Sequence, residues 1–111
     1  MAEHKTIYVG EVNYEYAMRL VGAGHFSCFA DVLTYSMRFM SDIARIYGIR
    51  NLPNLDRRNL RKINVRMPPR LVEELQELNF AKDSEIYDMA LQFYSNVRKR
   101  GGNPLKGFRE L

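Results

Sequence analysis

The chain has 111 residues, with 17 Lys and Arg against 13 Asp and Glu and a single cysteine. That length can bury one modest core, and one cysteine excludes an intrachain disulfide; Cys28 with only His4 and His25 beside it makes no zinc set. No apolar run reaches membrane-spanning length and residues 1–5 carry no apolar leader, so a soluble, cytoplasmic protein without a cofactor, metal or small-molecule ligand is expected.

Positive charge is unevenly spread. Counted along the sequence, residues 1–56 hold 5 basic and 6 acidic side chains, and residues 57–111 hold 12 and 7. A polyanionic partner accounts for that asymmetry better than an acidic protein or a membrane surface does. Cys28 and His25 are close in sequence, but no third group orients them. Cys28 reads as a buried structural thiol, no catalytic set emerges, and an enzyme is not expected.

Residues 1–4 are expected to be loose. Residues 5–12, Lys-Thr-Ile-Tyr-Val-Gly-Glu-Val, are rich in β-branched and aromatic types and predict a strand, with Asn13 where a helix cap would stand. Ile7 and Val9 are expected inward, helped by a bulge near Gly10, leaving Thr6 and Tyr8 on the outer face and Lys5 at its edge. Tyr14, Ala17, Met18 and Val21 predict a short helix that Gly22-Ala23-Gly24 ends. Ser27 is a candidate cap for a long helix running close to Gly48. Its apolar row is Ala30, Leu33, Met37, Met40, Ala44 and Tyr47, widened by Phe29, Val32, Phe39, Ile43 and Ile46. That stripe is broader than one small core needs, so its end at Phe39, Ile43 and Ile46 is a candidate contact between chains in a homodimer or higher assembly. Residues 49–61 read as an irregular basic linker carrying Arg57, Arg58 and Arg61.

Residues 62–68, Lys-Ile-Asn-Val-Arg-Met-Pro, alternate: Ile63, Val65 and Met67 face one way and Lys62, Asn64 and Arg66 the other. Pro68 and Pro69 end the strand and open a helix carried by Leu71, Val72, Leu75 and Leu78. The pattern breaks at Lys82-Asp83-Ser84, where Asp83 or Ser84 is a candidate cap. A second helix then follows through Tyr87, Ala90, Tyr94 and Val97, stopping at Arg98-Lys99-Arg100 before two glycines. Residues 101–111 form a basic tail.

The run from Lys62 to Arg100, and most specifically Asn64-Val65-Arg66-Met67-Pro68, resembles the ribbon-helix-helix family of DNA-binding regulators. The resemblance implies that two strands pair as a ribbon, that its outward residues enter the major groove of double-stranded DNA, and that helices lie beneath. Setting Ser27 on Ser84 puts Tyr14 on Leu71, Met18 on Leu75 and Val21 on Leu78, so residues 1–48 look like a degenerate first repeat of residues 62–100. The expected fold is mainly α with a short β-ribbon: tandem ribbon-helix-helix motifs forming an intrachain pseudo-dimer. The tandem form is similar to transcription regulators of archaeal viruses, for which the cytoplasm would be the host's.

Lys62, Asn64 and Arg66 occupy the family's base-reading positions, with Thr6 and Tyr8 their weaker counterparts. The Asn carboxamide fits adenine and the Arg fork fits guanine. Phosphate contacts are implied for Ser27 and Cys28, and for Asp83, Ser84 and Glu85, at second-helix N-termini; Lys5, Arg57, Arg58 and Arg61 are basic candidates for the same role. A sequence-specific regulator is therefore expected, repressing by occlusion, with activation open. The alternatives are an antitoxin-type module and a helical scaffold that binds no DNA.

Overall fold

The computed structural model describes residues 3–49, 52–79 and 82–99; the tail at 101–111 and the helix-stop residues 100–102 lie outside them. The elements run β1 (Glu3–Gly10), α1 (Glu11–Gly22), α2 (Phe29–Ile46), β2 (Leu60–Met67), α3 (Pro69–Leu78), a 3-10 turn (Asp83–Glu85) and α4 (Ile86–Lys99). The fold is mostly helical, with one antiparallel two-stranded sheet formed within the chain. Among the described residues no helix is long and apolar enough to cross a membrane.

The register pairs Glu3 with Met67 and continues unbroken to Gly10 opposite Leu60, so the bulge expected at Gly10 is not there. The first strand also begins earlier and ends earlier than the β-branched run suggested. Gly10 turns the chain directly into α1, and a Cβ at Gly10 would stand 2.7 Å from the Asp56 carbonyl oxygen. Only glycine admits the linker backbone that closely. Asn13 is consequently not a cap but a buried residue of α1.

Ile7, Val9, Val65 and Met67 on the ribbon's inner face join Leu33, Met37, Met40, Leu75 and Leu91 in one core cluster. At about 25 cal/mol per Å² of apolar surface removed from water, such burial is what holds a two-stranded sheet that could not persist alone. The inward choice of Ile7 and Val9 is the observed one. On α1, however, the buried stripe is Asn13, Ala17 and Leu20; Met18 is 37% exposed, while Tyr14 and Val21 are half-buried. The helix has turned about its axis because Asn13 is drawn inward by a polar partner.

Helices α2 and α4 pack on each other beneath the ribbon. Ile43 is buried and Phe39 lies 5.8 Å from the Phe93 ring and 5.7 Å from that of Tyr94, so the chain's own core takes most of the face expected to meet a second chain. Only Ile46 of that trio is broadly exposed, at 69%. Helix ends follow backbone rather than side-chain devices. Cys28, not Ser27, is the N-cap of α2, no side chain caps it, and Cys28 is exposed rather than buried. Asp83 and Ser84 are taken into the 3-10 turn after Lys82 instead of capping α4. Asn79 adopts the left-handed conformation (φ 58°) that closes α3, and Gly48 (φ 75°) follows α2.

Candidate nucleic-acid interface

Opposed residues of an antiparallel pair share a face. The register therefore aligns three cross-strand pairs on the solvent side of the ribbon: His4 with Arg66, Thr6 with Asn64, and Tyr8 with Lys62. All six side chains are exposed, while Ile7, Val9, Val65 and Met67 at the odd positions are buried, Ile63 is half-buried and Lys5 is exposed. The five residues predicted to read bases are thus brought together on one face. His4 is the sixth, missed because residues 1–4 read as loose; its even position, in phase with Thr6 and Tyr8, was the available signal.

At the middle of this face the Thr6 hydroxyl donates to Asn64 Oδ1 at 2.7 Å. Lys62 and Arg66 sit one pair to either side, and no carboxylate engages either of them among the described residues. Beyond Tyr8 (47% exposed), Leu60 (44% exposed) extends the surface with an apolar end, since its partner Gly10 offers no side chain.

The ribbon's base is held by a polar cluster that sequence reading did not find. Asp88, at 0% exposure, accepts both from the Gly10 amide (2.8 and 3.0 Å) and from Asn13 Nδ2 (3.2 Å). Arg57 donates to the same carboxylate and to the Tyr8 carbonyl oxygen at 3.3 Å. A buried charge persists only when paired and hydrogen-bonded, and here three donors from three segments converge on one. Asp88 stands inside the apolar run Ile86-Tyr87-Asp88-Met89-Ala90-Leu91, which was the clue to a buried carboxylate.

The other linker arginines are also paired. Arg58 forks onto Asp56 (2.9 and 3.1 Å), and these hydrogen bonds pull the Asp56 carboxyl down to about 2. Arg61 forks onto Glu11 (2.8 and 3.1 Å), lowering the Glu11 pKa through the same hydrogen bonds, and its guanidinium carbon lies 4.3 Å over the Tyr14 ring. Of the other residues expected at phosphate, Lys5, Ser27 and Cys28 are exposed, as are Asp83 and Ser84, in a turn that touches β1. Glu85 is half-buried and its amide donates to the Lys82 carbonyl at 2.8 Å. Among the described residues no group of His, Cys, Asp and Glu could hold a metal ion.

Compared with protein-family models, curated proteins and solved structures, the chain matches none.

Proposed function

We propose that this protein is a sequence-specific regulator of transcription that inserts its β1–β2 ribbon into the major groove of double-stranded DNA. The observation that carries the reading is the register: it lines up His4, Thr6, Tyr8, Lys62, Asn64 and Arg66 on one exposed face while Ile7, Val9, Val65 and Met67 of the opposite face enter the core. A major groove about 12 Å wide admits a two-stranded ribbon and displays a distinct pattern for every base pair. Arg66 and Lys62 supply charge with no competing carboxylate among the described residues, and Asn64 supplies a carboxamide that matches adenine.

In this reading the chain is a tandem ribbon-helix-helix pseudo-dimer. Recurring burial supports it. Setting Thr6 on Asn64 also sets buried Asn13 and Ala17 on buried Leu71 and Leu75; one residue less sets Phe29, Val32, Leu33, Met37 and Met40 on Ile86, Met89, Ala90, Tyr94 and Val97, all of them buried. The halves would be joined so that a single chain carries a complete ribbon, the tether raising the effective concentration of each strand for the other. Bound regulator would occlude a promoter.

Selection from a randomised duplex pool at moderate salt tests this. The wild type is expected to enrich one short site and the Asn64→Ala/Arg66→Ala double variant none. Equal, salt-sensitive retention of unrelated sequences by both would reduce the protein to a basic DNA-coating factor, and no retention would reject DNA binding.

A further inference from the structure

Resting on that reading, we infer that Thr6 is a positioning residue for Asn64, so that the ribbon reads the centre of its site from one strand only. The two residues face each other at the middle of the outer surface, and the hydroxyl holds Oδ1 at 2.7 Å. A carboxamide oxygen has two lone pairs. With one given to Thr6, the other remains to accept from adenine N6, and both Nδ2 hydrogens remain to reach N7.

The consequence is ordering. An exposed Asn samples several rotamers and both orientations of its amide, and binding must freeze it at a cost of about 0.5–1.5 kcal/mol. The Thr6 hydroxyl restricts it beforehand. The restriction also has a direction: β1 has no side-chain carboxamide at this position, and its flanking His4 and Tyr8 face Arg66 and Lys62 rather than like partners. The pair therefore presents one carboxamide to the central step, and the preferred central base is an adenine recognised on one DNA strand, within a site that is not palindromic at its middle.

Thr6→Val removes the hydroxyl but keeps the β-branched shape that suits a strand, whereas Thr6→Ser keeps the hydroxyl. Each variant, with and without Asn64→Ala, is put through the same duplex selection, and thermal unfolding monitors folding. The expected result is that Thr6→Val keeps the preferences at the flanking positions but loses roughly 2- to 10-fold of discrimination at the centre. Thr6→Ser restores it, and Thr6→Val adds nothing once Asn64 is Ala. Unchanged central discrimination in Thr6→Val, or failure of Ser to restore it, overturns the positioning role while leaving ribbon reading intact. A wild type that enriches no site overturns both.

Discussion

The stretch from Arg57 to Arg66 holds five cations that composition treats alike, and the fold divides them into two groups. Arg57, Arg58 and Arg61 each meet a carboxylate, from Asp88, Asp56 and Glu11 respectively. Lys62 and Arg66, on the outer face of β2, meet none among the described residues. Charge counted along a sequence thus overstates the field offered to a partner, because a cation already paired changes little when an anion approaches. Arg57 and Arg61 tie the ribbon to α4 and α1 and Arg58 stays within the linker, whereas the second group stands exposed on the outer face.

Breaking the first group should cost stability. Asp88→Ala leaves Arg57, Asn13 and the Gly10 amide without their shared acceptor, and a loss of about 3–5 kcal/mol is expected in denaturant unfolding, as for a broken buried pair. Gly10→Ala is next: the added Cβ meets the Asp56 carbonyl at 2.7 Å, and backbone cannot swing aside as a side chain does, so about 1–3 kcal/mol should be lost. Changing the second group, or Asn64 between its members, should cost binding instead. Asn64→Ala and Arg66→Ala are each expected to weaken the selected site by about 1–3 kcal/mol in titration, with unfolding free energy within roughly 0.5 kcal/mol of wild type.

Smaller effects sharpen the division. Lys62→Ala should reduce the slope of log affinity against log salt by about 0.9, whereas Arg58→Ala, removing a cation already neutralised by Asp56, should leave the slope nearly unchanged. Asp56 should titrate near 2 when followed by carboxyl NMR shifts. Its folded pKa lies below the ordinary 3.8, so its small contribution to stability is present at neutral pH and lost as pH falls from about 4 through about 2. The exposed site makes that contribution slight.

Alternation made the outer face legible. In Lys62-Ile63-Asn64-Val65-Arg66-Met67 period-two patterning and a closing Pro68 leave little choice of face, and the apolar pairs Ile7/Val9 and Val65/Met67 fix the orientation of both strands. What could not be read was polar and long-range. Asp88 joins Gly10 and Asn13 across more than 70 positions of chain, and nothing local marks the partners. That contact shifted the start of α1, displaced Asn13 from a cap into the interior and left Met18 outside. Helix caps were misread for a related reason: Ser27 and Ser84 have the right chemistry, but α2 is entered at Cys28, one residue after Ser27, and the 3-10 turn is entered at Lys82, two residues before Ser84. Cys28 was expected inside because thiols usually are, and its place at the exposed cap follows from the same one-residue difference.

The central claim is that the outer face of the ribbon is the surface that meets DNA. Titrating the labelled protein with its selected duplex, while following backbone amides and the side-chain signals of Asn64 and Arg66 by NMR, tests it most directly. The account predicts the largest shifts at His4, Thr6, Tyr8, Lys62, Asn64 and Arg66, with Asp88 and Arg57 little changed. Shifts concentrated on the helices, with the ribbon silent, would contradict it.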